Sequence, residues 1–290
     1  MADVNKIVAE NIGGDFFVDS TCINCDTCRQ LAPATFQDQG EHSFVYAQPG
    51  GDQDRRAATL ALLCCPTGSI GTRGTNTAKD VLSDLPLLIA DDVYYCGFNS
   101  AKSYGGNSFF VRHPGGNWLI DSPKFLPHLV KSFTNLGGIR YIFLTHRDDV
   151  AEAARYAREF GAQRIIHRLE LSAQPASEMV IDGADTVKIA DEFLVIPTPG
   201  HTEGHMVILY KDRFLFGGDH LAFDPASKSL YAFRHHCWYS WTEQTRSMER
   251  LLAYRFEWVL AGHGNRGRLP ADEMREKLQE LIERMKAPSR

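Results

Sequence analysis

Long apolar runs are missing from this 290-residue sequence, and none approaches the roughly 20 residues that cross a bilayer as a helix. A surplus of positive charge is missing too. The 31 Lys and Arg stand against 36 Asp and Glu, a formal charge of -5, so there is no broad electrostatic footprint for nucleic acid. The stretch from Met1 to Glu10 has neither the basic start nor the apolar core of a secretion signal. A paired-cysteine framework is also absent. The seven cysteines are odd in number and clustered, which fits metal ligation in a reducing compartment better than disulfides. The expectation is a chain that contacts neither membrane nor nucleic acid. Its compartment would be the cytoplasm, or an organelle stroma if a transit peptide has been removed. What is present, 43% hydrophobic and 23% charged residues, suits a globular protein of one large or two modest domains.

The cysteines carry the first chemical signal. Cys22, Cys25 and Cys28 form a Cys-x-x-Cys-x-x-Cys run, and Cys65 stands immediately before Pro66. Closely spaced cysteines on a tight loop can wrap three corners of an iron–sulfur cube, with a distant cysteine supplying the fourth. The proline turns the chain away and removes one backbone donor. Four cysteines also suit zinc, although zinc sites more often use two separated Cys-x-x-Cys pairs. Residues 56–64 have helical spacing with Ala57, Leu60, Ala61 and Cys64 on one face. That makes Cys64 a buried helix-end residue and Cys65 the better ligand.

With Phe16-Phe17-Val18-Asp19 as a first strand and Leu31 to Phe36 after the third cysteine, residues 14–72 resemble the single-cluster bacterial ferredoxins. Position 32 is Ala where a cysteine serving a second cluster would stand. The resemblance therefore implies one 4Fe–4S cluster held by Cys22, Cys25, Cys28 and Cys65. The small polar residues 71–77 read as a linker. The expected domains are 1–78, ferredoxin-like, and 79–290.

Beyond the linker, short strands around residues 93–96, 108–111 and 118–120 are separated by glycine-rich turns. A helix over 124–136 and a strand over 140–144 follow. After Thr145 to Ala151 comes a helical pattern with Val150, Ala153, Ala154 and Ala157 on one face, then a strand at 164–166. Further strands are expected at 186–189, 193–196, 206–210, 214–216 and 257–260. Ser240 with Glu243 is a capping-box signature opening a helix that turns Met248, Leu251 and Leu252 inward. Met274, Leu278, Leu281, Ile282 and Met285 line one face of a closing helix. Hairpins flanking strand–helix units imply two sheets with helices outside, an αββα sandwich of mixed α+β and α/β character after the ferredoxin-like domain.

Four strand ends carry ligand-type residues: His146-Arg147-Asp148, Thr198-Pro199-Gly200-His201-Thr202-Glu203-Gly204-His205, Gly217-Gly218-Asp219-His220 and Gly262-His263-Gly264. Neutral imidazole with carboxylate suits zinc or iron. Over residues 90–265 the chain resembles the metallo-β-lactamase-fold superfamily, on its Thr-Pro-Gly-His-Thr-x-Gly-His and Gly-Gly-Asp segments. The resemblance implies metal roles for His146, His201, Asp219 and His263, and a structural role for Asp121. Its His-x-His-x-Asp-His junction is degenerate here. Asp148 replaces the second histidine, Val150 the aspartate and Ala151 the last histidine, so the second metal position loses two ligands.

Asp148 is either a fourth ligand or, with Asp149, an ordinary acidic residue at a helix start, where the helix dipole favours it. His263 either ligates or contacts substrate, and His205 has a structural hydrogen bond. His235-His236-Cys237 lacks ligand spacing and reads as a pocket wall or interface, with Trp238 and Trp241 as core or interface anchors.

Three functions follow. The first is a redox-linked metalloprotein, in which a 4Fe–4S cluster serves a mononuclear pocket holding iron, by the two-histidine, one-carboxylate set; its partner is a redox protein or a small-molecule substrate. The second is a mononuclear zinc hydrolase of esters or thioesters with a structural ferredoxin domain. The third is a non-catalytic electron carrier or interaction protein on a decayed hydrolase scaffold.

Overall fold

The computed structural model describes residues 2–74 and 78–287; residues 75–77 of the expected linker lie outside them. The chain packs as two compact units, Met1–Ile139 and Arg140–Arg290. Among the described residues no helix is long and apolar enough to cross a membrane.

In the first unit, Phe16–Val18 pairs antiparallel with Ile70–Thr72, and Phe36–Asp38 pairs with Ser43–Val45. The helix Asp52–Cys64 packs over them. Its buried face is Ala58, Thr59, Ala61 and Cys64, so Ala57 and Leu60 lie at the margin of the face rather than on it. Phe16, Val18, Phe36, Val45, Ala58 and Ala61 form the apolar core beside Cys28 and Cys65. The strands Leu87–Ala90, Val93–Tyr95, Phe109–Val111 and Trp118–Ile120 follow as an antiparallel meander. The next helix is Pro127–Asn135, three residues shorter at its start than its apolar pattern; Pro127 at its first turn has no N–H to leave unpaired.

The second unit opens with a strand–helix–strand turn. Tyr141–Phe143 pairs parallel with Gln163–His167, with the helix Ala153–Phe160 as the crossover. That helix starts at Ala153, so Val150 precedes it, and Tyr156 joins Ala153 and Ala157 on the buried face. A second, mostly antiparallel sheet has the order Val187–Ala190, Phe193–Pro197, Met206–Tyr210, Phe214–Gly218, Trp258–Ala261, Gly267–Arg268. Met206–Tyr210 and Phe214–Gly218 are buried at every residue, as expected of central strands covered on both faces.

The helices Trp241–Leu251 and Ala271–Lys286 pack on this sheet through Met248, Leu251, Met274, Leu278 and Ile282. Ser240 caps the first of them, its side chain accepting from the Glu243 N–H at 3.2 Å.

Strand direction explains where the ligand-type residues collect. Phe193–Pro197, Phe214–Gly218 and Trp258–Ala261 run the same way: the first two are separated by one antiparallel neighbour, and the last two pair parallel. Their C-terminal ends therefore share one edge of the sheet. His201, Asp219 and His263 each lie just beyond one of those ends. The fourth strand end is brought in by a backbone bond, Met206 N–H to Thr145 C=O at 2.8 Å, which seats His146 over the start of the strand Met206–Tyr210.

Candidate metal centre

His146, Asp148, His201, Asp219 and His263, which in the sequence occupy four separate segments, converge in the second unit. The Nε2 of His146 lies 3.7 Å from Asp219 Oδ2 and 3.8 Å from Asp148 Oδ2. The Nε2 of His201 lies 3.6 Å from the same Asp219 oxygen and 3.7 Å from the same Asp148 oxygen. Both imidazoles are buried, and neither Nε2 has a hydrogen-bond partner among the described residues. Buried polar atoms left this way are uncommon and point to an absent ion or water. His146, Asp148 and His201 have ligand atoms all within 4.8 Å of one another. The donor set fits one first-row transition metal.

The surroundings hold this geometry. His146 Nδ1 lies 3.0 Å from Thr145 Oγ1, which orients the ring so that Nε2 faces the carboxylates. His263 Nδ1 is 2.8 and 2.9 Å from the two oxygens of Asp219. His205 is structural in its contacts: Nδ1 meets Thr198 Oγ1 at 3.0 Å and Nε2 accepts from the Asp219 N–H at 3.3 Å.

Burial pushes His146 down to about 4 and His220 down to about 3, and it holds His205 well below the usual imidazole range. All three are neutral at pH 7, the form in which histidine ligates. Burial would raise Asp219, but His263, His146 and His201 together outweigh it, and the carboxyl lies far below the usual range. His201, 3.7 Å away, likewise lowers Asp148. Both carboxyls are ionised.

Two groups escaped the sequence reading. Asp149 is not a solvated residue at a helix start. It is 1% exposed and forms a second close set with His146 and Asp219. The physical reason is local: residues 147–149 make a 3-10 turn and the regular helix begins only at Ala153, so Asp149 points inward instead of over a first helical turn. Glu170, fully buried, accepts the Gly204 N–H at 2.8 Å and the Arg147 N–H at 3.2 Å. No local motif marks it. His220 is also buried, its ring stacked on His205 at 5.3 Å between centroids.

The stretch after Phe233 stands beside the pocket. The N–H groups of Trp238 and Tyr239 both donate to the His201 carbonyl, and the Cys237 thiol donates to the Gly200 carbonyl at 3.2 Å. Trp238 is 60% exposed rather than a core anchor, with its ring 6.1 Å from that of His201. Trp241 is half-buried and donates Nε1–H to the Met285 carbonyl.

In the first unit, Cys22, Cys25, Cys28 and Cys65 line one small cleft. The Ser43 N–H points at Cys22 Sγ at 3.5 Å and the Ser69 N–H at Cys65 Sγ at 3.3 Å. Backbone donors aimed at sulfur suit thiolates bound to a cluster. Burial pushes the Cys25 and Cys28 thiols up to about 11 and about 12, so these sulfurs ionise only when metal charge compensates. Cys64 does not line the cleft; it is fully buried at the helix end.

Residues 18–72 match the 4Fe-4S single cluster domain of Ferredoxin I. About two thirds of the chain is similar in fold to the B3 metallo-β-lactamase BLEG-1 (TM-score 0.52, 16% identity, 67% of this chain and 100% of that one). It is also similar to the Pseudomonas aeruginosa metallo-β-lactamase FIM-1 in its mono-zinc form (TM-score 0.52, 17% identity, 69% and 95%). The chain thus joins a single-cluster 4Fe–4S ferredoxin domain to a metallo-β-lactamase fold whose His-x-His-x-Asp-His junction is degenerate.

Among curated proteins, hydroxyacylglutathione hydrolase of Acidiphilium cryptum is 28% identical over 118 residues, 39% of this chain and 48% of that enzyme. The Rhizobium etli enzyme of the same name is 33% identical over 106 residues, 35% and 41%. The chain spans about half the length or less of these relatives.

Proposed function

We propose that the protein is a redox-linked metalloprotein. Its second unit would hold one metal ion on His146, His201 and Asp219, with Asp148 as a further ligand, and its 4Fe–4S cluster would carry electrons for the chemistry at that ion. The observation that carries this reading is the pair of buried, unpartnered Nε2 atoms of His146 and His201 facing two ionised carboxylates. Two imidazoles with carboxylate suit iron(II) as well as zinc. A fused electron carrier favours the metal that changes oxidation state. A bound iron would supply one-electron chemistry and open coordination positions for a substrate.

The chain's own residues have separable tasks. Thr145 fixes the His146 ring, and His205 ties its strand to the Asp219 backbone. His263, bonded to Asp219, would hold that carboxylate in position. Val150 and Ala151 leave no ligating group where the superfamily's second ion would be bound. Trp238, exposed beside His201, would form an apolar wall for an incoming substrate.

A second reading, a zinc hydrolase acting on an ester or thioester, is favoured by the hydrolase relatives and by Asp149, a buried carboxylate close to His146 and Asp219 that could hold a water in place.

Anaerobic purification with quantification of iron, sulfide and zinc, on wild type and His201→Ala, separates the two. Iron beyond the cluster that is lost in the variant supports the redox reading. Zinc lost in the variant, with redox-independent ester hydrolysis by the wild type, refutes it.

A further inference from the structure

The cluster cysteines are not enclosed by residues 18–72 alone. Within the same unit, the loop 97–107 closes over them. Gly105 has φ +89, and a Cβ there would stand 2.6 Å from Cys25 Cβ and 2.9 Å from Cys25 Sγ. Only glycine permits both that backbone and that approach.

The loop is pinned by a fully buried amide. Asn99 Nδ2 donates to the Gly105 carbonyl at 2.7 Å and reaches Thr27 Oγ1 and Asn107 Oδ1, each at 3.1 Å. The Tyr95 hydroxyl donates to Asn99 Oδ1 at 2.8 Å. Thr27, the residue between two cluster cysteines, lies 3.4 Å from Cys25 Sγ.

From the same wall a cation arrives. The backbone N–H of Lys124 donates to the Phe98 carbonyl at 2.9 Å, and its Nζ donates to the Cys65 carbonyl at 3.1 Å. Lys124 stands 59 residues beyond Cys65 and lies outside the segment that matches the ferredoxin domain.

We propose that Lys124, held by the loop 97–107, is a positioning residue of the iron–sulfur site that raises the cluster's reduction potential. The proposal rests on the 4Fe–4S reading of the four cysteines. On reduction the cluster accepts one electron from a one-electron reductant; no bond forms or breaks, and the cluster with its four thiolates gains one negative charge. An ammonium group fixed against a ligand's backbone stabilises the more negative state over the less negative one. The half-buried setting of the amine limits screening by solvent. Partial burial lowers the Lys124 pKa, while Cys65, Cys64 and Cys25 act to raise it, which places the amine within electrostatic reach of the site. The cation belongs to the metallo-β-lactamase-type part of the sequence, so the potential would be set jointly by the two parts that are fused here.

The test is EPR-monitored potentiometry with dithionite as reductant, on the full chain purified anaerobically as wild type, Lys124→Gln and Lys124→Arg. Loss of the charge should make reduction about tenfold less favourable, a shift of about 59 mV to lower potential for one electron. Lys124→Arg, which keeps the charge, should restore the wild-type value to within twofold. A Gln variant that keeps its cluster with an unchanged or higher potential overturns the proposal while leaving the cluster reading intact. If Lys124→Gln loses its cluster, Lys124→Arg decides: a wild-type potential supports the role of the charge, and a potential shifted downward tenfold overturns it. A wild-type chain purified without iron and sulfide in cluster ratio overturns the cluster reading and the proposal with it.

Discussion

Glu170 joins the segments that carry His146 and His201, and its removal should be felt in both stability and metal affinity. Its carboxylate is fully buried and accepts two backbone N–H groups, Gly204 at 2.8 Å and Arg147 at 3.2 Å. Arg147 follows His146 directly, and Gly204 lies between His201 and His205. Gly204 has no side chain for a reason: a Cβ there would meet Glu170 Cγ at 2.7 Å. In Glu170→Ala the shorter bond costs about 2 kcal/mol and the longer about 1 kcal/mol, since both N–H groups lose a charged acceptor. The Arg147 side chain, Nε 3.4 Å from Glu170 and 43% exposed, adds less than about 1 kcal/mol after screening by solvent. The total is about 3–4 kcal/mol. Glu170→Gln keeps the volume and one acceptor oxygen, and should cost about half as much. Equilibrium urea unfolding of the metal-free chain measures this difference, and chelator competition measures metal affinity. Loosening a support of this kind lowers metal affinity by roughly 10–100-fold. The reasoning is refuted if Glu170→Ala unfolds within about 1 kcal/mol of wild type and binds metal equally well.

Acid should destabilise the metal-free protein before any carboxylate titrates. His146 and His220 are held down to about 4 and about 3 when folded, so between pH 7.5 and 5.5 the unfolded chain takes up protons that the folded chain does not. Stability therefore falls with pH, by about 1.4 kcal/mol per histidine. These two contribute about 3 kcal/mol, and His205, also held well below the usual range, about 1.4 kcal/mol more; urea unfolding with equal stability at both pH values would contradict this. At the helix Trp241–Leu251, Ser240→Ala removes the acceptor for the Glu243 N–H and should cost about 1 kcal/mol, whereas Ser240→Gly should cost only a few tenths. A thermal-shift series across the three forms checks that order.

Patterns with a fixed spacing were legible before any coordinates. The cysteine run, the closing-helix face from Met274 to Met285 and the Ser240 cap all appear where their periodicity or chemistry places them. So do the strand ends that carry His146, His201, Asp219 and His263, because a buried strand followed by glycine or proline is a local signal. Strands without such a signal were not anticipated. Phe36–Asp38, with one buried and two exposed residues, and Leu87–Ala90, with none fully buried, give no clean alternation. Their pairing partners, not their own composition, make them strands. Glu170 was invisible for a related reason: its importance comes from two N–H groups, 23 residues before it and 34 after it. The burial of Asp149 depends on where a helix begins, the feature a single sequence specifies least well.

The junction at residues 146–151 now has a physical interpretation beyond the loss of ligands. Replacing the motif's later aspartate and histidine with Val150 and Ala151 removes donors, yet two carboxylates remain within reach of His146, one on each side of the pocket chemistry. Asp148 is half-exposed and shares His146 and His201; Asp149 is buried and shares His146 and Asp219. A buried carboxylate beside another at Asp219 is costly unless cations compensate it, and His263 already leans on Asp219. An ion bound by His146 and Asp219 would relieve that repulsion whichever neighbouring carboxylate completed its coordination. Asp148 on the open side would leave the ion facing substrate and solvent, whereas Asp149 would draw it toward His263 and the interior. The choice between those two carboxylates would decide between an exposed ion and an enclosed one. Asp148→Asn and Asp149→Asn should therefore differ in effect: the first weakens metal binding under the redox reading, and the second does so only if the ion sits on the inner side.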